Sequence, residues 1–128
     1  MKQFSVQSAR REEFIDMTAR VQEAVSELKC KDGICVVFTP HTTAAVTINE
    51  NADSDVVRDI LHGLEAIVPG KGYHHAEGNS PAHIKSTLVG CSEQLLVENG
   101  KLVLGTWQGI YFCEFDGPRN RQVIVKSQ

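Results

Sequence analysis

Hydrophobic positions recur along this chain with two different periods, and the changes of period mark out the elements. Gln3-Phe4-Ser5-Val6-Gln7 alternates polar and apolar, the period-2 pattern of a strand with one buried face. Glu13 to Met17 reads as its partner across a charged turn. From Thr18 the period lengthens. Val21, Val25 and Leu28 recur at i, i+4 and i+7, Ala24 widens the stripe, and Thr18 stands as N-cap of a helix broken at Asp32-Gly33. Ile34 to Pro40 then reads as a short apolar strand buried on both faces, and Thr43 to Asn49 as a β-branched strand after it. A second helix follows, capped by Asp53 or Asn51. Val56, Val57, Ile60, Leu61, Leu64 and Ile67 form its apolar stripe, and Pro69-Gly70 ends it.

Lys71 to Asn79 is polar and without a period. Ser80-Pro81 predicts a third, short helix, with Ser80 as N-cap, Pro81 at its first position and Gly90 just past its end. The remainder reads as strand. Glu93 to Glu98 and Lys101 to Leu104 flank Asn99-Gly100, a pair suited to the type I′ turn of a hairpin. Gly109 to Phe115 and Gln122 to Lys126 read as a second pair joined through Asp116-Gly117-Pro118. Strands outnumber about three helices, which predicts an α+β fold with mostly antiparallel, sandwich-like sheets. No repeat or linker divides the 128 residues, so one domain spans 1–128.

Charge and cysteine usage narrow the function classes. The net charge is −3 and no basic stretch stands out, so nucleic acid lacks its usual electrostatic partner here. The longest apolar run, Ile34 to Phe38, is far short of the roughly 20 residues that cross a bilayer. The amino terminus has no apolar signal core, so a cytoplasmic location without a membrane partner is expected. Cys30, Cys35, Cys91 and Cys113 have no Cys-x-x-Cys spacing and read as reduced, buried thiols.

The five histidines are the first unusual feature. His41, in Pro40-His41-Thr42-Thr43, sits at the mouth between two strands, as a ligand, a general acid/base or a ring that merely bonds backbone. Tyr73 to His83 holds three histidines and Glu77 in a loop entering a helix. His83 at the third helical position can face back toward His75, a geometry compatible with Zn²⁺ although the spacing is not a standard motif. His74, next to His75, points the other way in an extended loop. The helix start near Ser80, with Lys85 and Ser86 following, suits a phosphate. Trp107, bracketed by Gly105 and Gly109, either stacks on a heterocycle whose edge Gln108 reads or fills a sandwich corner. Glu114 interrupts an apolar run and therefore needs a partner, a metal or water; Arg119 is a candidate partner, or a fork for phosphate. Asn49-Glu50 is a similar amide/acid pair.

Several of these blocks, in order, resemble the YjbQ family of small proteins associated with a secondary thiamine-phosphate synthase activity. They are His41-Thr42-Thr43-Ala44-Ala45 with Asn49-Glu50, Tyr73-His74-His75 with Glu77-Gly78-Asn79, Ala82-His83-Ile84-Lys85-Ser86, Gly90, Gly105-Thr106-Trp107-Gln108, and Glu114 to Arg119. The resemblance implies a trimer of sandwich-like subunits, with histidines at 41, 75 and 83 carried over from the family pattern. The associated reaction joins a hydroxymethylpyrimidine pyrophosphate to a thiazole phosphate and releases pyrophosphate. Two readings follow. In the first, His41, His75 and His83 hold a divalent metal, with zinc suited to imidazoles and magnesium to a pyrophosphate. Glu50, Glu114, Trp107 and Gln108 then act on the substrate, and Lys85, Ser86, Arg119 and Thr42 hold a small phosphorylated molecule. In the second, a trimeric module binds such a ligand, or a heterocycle, without catalysis.

Overall fold

The computed structural model describes residues 1–128 throughout. The elements follow in the order β1 (Lys2–Gln7), β2 (Glu13–Asp16), α1 (Thr18–Glu27), β3 (Gly33–Phe38), β4 (Ala44–Glu50), α2 (Ser54–Ile67), α3 (Ser80–Val89), β5 (Ser92–Glu98), β6 (Lys101–Leu102), β7 (Gln108–Glu114) and β8 (Asn120–Ser127). Five strands form one sheet, ordered β1-β8-β3-β5-β6, and three form another, ordered β2-β7-β4; every pairing is antiparallel. The α+β class with three helices and antiparallel sheets is therefore as the periods predict.

The principal core lies between the sheets. Cys35 and Val37 of β3, Val123 and Val125 of β8, and Leu95 and Val97 of β5 meet Val46 of β4 and Ile110 and Phe112 of β7, and Val21 and Val25 of α1 complete it. The other face of the small sheet carries a second cluster, in which Ala45, Tyr111, Cys113 and Phe115 meet Ala82 of α3 and the inner side chains Val57, Leu61 and Leu64 of α2. β7 serves both clusters, because successive side chains point to opposite faces.

Two expected pairings are corrected. β1 does not pair with β2, nor β7 with β8. Within each pair the strands go to different sheets, and the turns between them are corners of the sandwich. The corners join each other instead: Ser8 N donates to Arg119 O at 3.0 Å and Gly117 N to Arg11 O at 2.9 Å. Alternating strands around a polar turn fit a hairpin and an arch equally well, so local pattern does not separate the two.

Smaller differences have local causes. β3 is not buried on both faces: Cys35 and Val37 face the core, while Ile34 is 45% exposed. With Val36, Phe38, Ile124 and Met1 it lines an apolar groove of about 590 Å³ on the outside of the large sheet. Thr18 is the first residue of α1 and not its cap, since its hydroxyl donates to Asp16 and accepts from Ile110 N. Asn79, not Ser80, precedes α3, whereas Asp53 caps α2 as one of the two expected residues. The Asn99-Gly100 turn has φ of 52° and 77°, as a type I′ turn needs, and β6 ends at Leu102. All four cysteines are free; Cys35 and Cys113 are buried, but Cys91 is exposed. No helix is long and apolar enough to cross a membrane.

Candidate functional site

The β3–β4 turn is anchored at several points. Thr39 is buried; its N–H donates to Cys91 O at 2.9 Å and its hydroxyl to Gln122 O at 3.1 Å. His41 Nε2 accepts from Gln122 N at 2.9 Å. Thr43 accepts from Arg121 through its hydroxyl oxygen at 2.9 Å. The turn thus ties β8 of the large sheet to the head of β4 in the small one. α3 is stitched alongside it: Ser86 Oγ donates to Ala44 O at 2.7 Å, and Val46 N donates to Gly90 O at 3.0 Å. Between turn and helix lies a cleft of about 540 Å³ whose walls include Thr39, His41, Thr42, His83, Ser86, Thr87 and Cys91.

Four of the expected site residues therefore meet on one cleft, namely His41, Thr42, His83 and Ser86. His75 stands beside it: its ring meets that of His83 edge-on, with centroids 5.6 Å apart and planes at 88°. Glu77 Oε1 lies 4.0 Å from His75 Nε2. The acceptor role of His41 Nε2 puts the proton of the neutral ring on Nδ1, which makes that nitrogen a donor. Burial first, then the Arg121 guanidinium, push the His41 pKa below its ordinary 6.5; Glu114 pulls the other way, and Arg119 adds a lesser downward push. For a metal the fit is partial. His75 and His83 offer adjacent imidazoles, but the Nε2 of His41 is engaged, and no three His, Cys, Asp or Glu side chains of one chain gather closely enough to share an ion.

The other expected residues lie elsewhere. Lys85 is buried beneath α3, where Nζ bonds Glu12 at 2.7 Å and Glu65 at 2.5 Å. Burial alone would lower its pKa; the two carboxylates more than offset this and raise it. Glu114, fully buried, faces Arg121 between the sheets (Oε1–Nε 2.9 Å, Oε2–Nη2 2.5 Å) and also accepts from Ser8 Oγ at 2.7 Å and Asp116 N at 3.1 Å. Burial would raise its pKa, and these bonds outweigh it, leaving the carboxyl below its ordinary 4.5. Its partner is therefore Arg121; Arg119 pairs with Asp116 at the surface, at 3.1 Å. Arg121 was readable in principle, since it shares its period-2 face with the buried Val123 and Val125. Thr39, Thr87 and Cys91 carry no comparable signal; only the fold brings them to the cleft.

Glu50, Trp107 and Gln108 form a separate group at the far end of β4. Glu50 pairs in register with Gln108, Tyr111 Oη donates to Glu50 O at 3.1 Å, and Asn51 N donates to Trp107 O at 2.9 Å. Gln108 Oε1 accepts from Gly105 N at 2.8 Å, which closes the turn that leaves Trp107 62% exposed. The strand from Ala44 to Glu50 spans about 20 Å at strand rise, so within one chain this group does not share the histidine cleft.

The titrating groups predict a two-step acid profile. His41 binds a proton less readily folded than unfolded, so stability begins to fall as pH drops below about 6.5 and continues down to its lowered folded value. Glu114 has a depressed folded pKa, so its contribution is present above 4.5 and is lost as pH falls through the folded value. In urea midpoints measured from pH 8 to 3, His41→Ala should remove the upper step and keep the lower. A profile of unchanged shape would assign the upper step to another group.

Comparisons with known proteins agree on one family. The family model described as UPF0047 protein YjbQ-like matches residues 2–128. A UPF0047 protein of Methanocaldococcus jannaschii is 52% identical over 124 residues, covering 96% of this chain and 90% of its own length. The UPF0047 protein YugU of Bacillus subtilis is 47% identical over 128 residues, covering 98% and 97%. Among solved structures, an uncharacterised conserved YjbQ/UPF0047 protein of Clostridium acetobutylicum superposes with a TM-score of 0.97 at 56% identity, covering 100% of both chains. A YbjQ-like protein of unknown function from Sulfolobus solfataricus gives 0.94 at 35% identity, covering 98% and 94%. By sequence and by fold, this chain belongs to the YjbQ/UPF0047 family.

Proposed function

We propose that the cleft between the β3–β4 turn and α3 binds a small phosphorylated molecule, and that the working protein is a trimer resembling those with weak thiamine-phosphate synthase activity. The observation that carries the reading is the shared cleft of His41 and His83, two histidines from distant stretches of sequence. Arg121 and Arg119 are each paired with a carboxylate, Glu114 and Asp116, so an anion in the cleft would rest on the cleft's own hydrogen-bond donors. A neutral His41 donating from Nδ1, the exposed hydroxyl of Thr42 and the ring of His83 would then bind phosphate oxygens. The Ser86 hydroxyl, whose proton goes to Ala44 O, offers only acceptance.

In the catalytic form of this reading, hydrogen bonds to a departing pyrophosphate stabilise the charge that develops on it. The imidazole pair of His75 and His83 is the proposed place for a divalent metal, zinc in preference to magnesium, with the remaining ligands supplied from outside the pair. The distance from the cleft to Glu50, Trp107 and Gln108 favours the second reading, a binding module without turnover, unless a neighbouring chain supplies that group. The apolar groove on the large sheet supports assembly, because Ile34, Val36, Phe38 and Ile124 lack a covering layer within one chain.

Calorimetric titration with inorganic pyrophosphate, a turnover assay on hydroxymethylpyrimidine pyrophosphate with thiazole phosphate, and metal analysis of tag-free protein test the reading together. His83→Ala is expected to weaken pyrophosphate binding about tenfold, the loss of one hydrogen bond to a charged group. It should also remove bound metal, and turnover with it if the site is catalytic. Binding with no turnover selects the module. Affinity unchanged in both His41→Ala and His83→Ala overturns the site.

A further inference from the structure

α2 and the loop after it carry little of the chain's buried surface. The helix has no buried residue, and from 51 to 78 only Val68 is buried. A cavity of about 390 Å³ lies where Glu65, Gly70 and Gly78 face Pro81 and Phe115. Across it runs one ion pair, the ammonium of Lys85, whose side chain is 3% exposed, bonded to Glu65, whose side chain is 65% exposed. Gly72 and Gly78, with φ of 97° and 78°, sit on either side of His75 in conformations that glycine adopts without strain. His75, carried by this loop, meets His83 on the well-anchored α3.

We propose that Lys85 is a latch. Its bond to Glu65 holds α2 and the following loop closed on the body, and the closed position sets His75 edge-on to His83. The second carboxylate makes the device reversible. Glu12 belongs to the β1–β2 corner and stays with Lys85 when Glu65 leaves, so opening does not strand a buried ammonium. Glu65, already mostly in water, loses little on release. Lys85 and Glu65 are thus positioning residues for the imidazole pair. The latch rests on the cleft reading for its purpose but is measured without any ligand, so the two stand or fall separately.

The test is amide hydrogen exchange on wild type and Glu65→Gln. Residues 54–79 should lose about two- to fivefold in protection in the variant, while β4 and β7 keep theirs. Trypsin should cleave after Lys71 faster by a similar factor. The ring resonances of His83 should shift as the His75 ring leaves it. Adding 0.5 M salt should lower protection in wild type by less than the substitution does, since Lys85 is buried, and should change the variant little. Lys85→Met should loosen the same segment and the β1–β2 corner as well; if it does not fold, Glu65→Gln alone decides. Protection unchanged across 54–79, or a loss spread evenly over the chain, overturns the latch. A change of sedimentation accompanying the loss also overturns it, by assigning Glu65 to a contact between subunits.

Discussion

Arg121→Met should destabilise the protein by about 3–5 kcal/mol, the range for removing one partner of a buried ion pair. Arg121 is 4% exposed and Glu114 0%, and the pair joins β8 to β7 across the gap between the sheets. Without the guanidinium, the carboxylate keeps only Ser8 and one backbone amide, too little to offset its removal from water. Thr43 also loses the donor that holds the cleft turn. Adding Glu114→Gln to Arg121→Met should recover part of the loss, because the stranded charge goes with it. Urea unfolding of the two single variants and the double gives the comparison. A single variant within 1 kcal/mol of wild type would show that the pair adds nothing beyond its packing.

Gly117→Ala should cost about 2–3 kcal/mol, toward the upper end for an added carbon in a tight site. A Cβ there would lie 2.3 Å from Arg10 O, 2.7 Å from Ser8 Oγ and 2.8 Å from Glu114 Cγ. The nearest atom is backbone, pinned by the bonds between the two corners, so the strain has no flexible side chain to absorb it. The displaced Ser8 hydroxyl would also weaken its bond to Glu114. Gly63→Ala is the control, since nothing lies within 4 Å of a Cβ at that helical position and a small gain in helix propensity is expected. Thermal melts of the two variants should move in opposite directions. Equal shifts would remove the close packing of the corners as the cause.

Both effects arise at a crossing that reading along the chain does not reveal. Gly117 and Pro118 stand out as a turn, and Glu114 stands out as a charge in an apolar run. That the β7–β8 turn would meet the β1–β2 turn, and that Glu114 would find Arg121 before Arg119, depends on which sheet each strand joins. The histidines divide in the same way. His75 and His83 are close in sequence and meet through a loop and the first turn of α3, a contact that spacing anticipates. His41 reaches the same cleft only because Ser86 and Gly90 fasten α3 along β4. Lys85, two residues after His83, points to the opposite side of its helix and into an ion pair, as the angular step between neighbouring helical positions requires.

The chain's own pattern determined the number and type of its elements, the type I′ turn at Asn99-Gly100 and a cap for α2 at either Asn51 or Asp53. These follow from interactions between near neighbours: side-chain period, backbone freedom at glycine and restriction at proline. The tertiary structure alone decided which strands share a sheet, which cation neutralises Glu114, and which chemistry-bearing side chains meet on the cleft while Glu50 and Trp107 stay about 20 Å away along β4. Those outcomes turn on contacts between residues far apart in sequence, and several closures of the chain satisfy the same local pattern until burial and ion pairing choose among them.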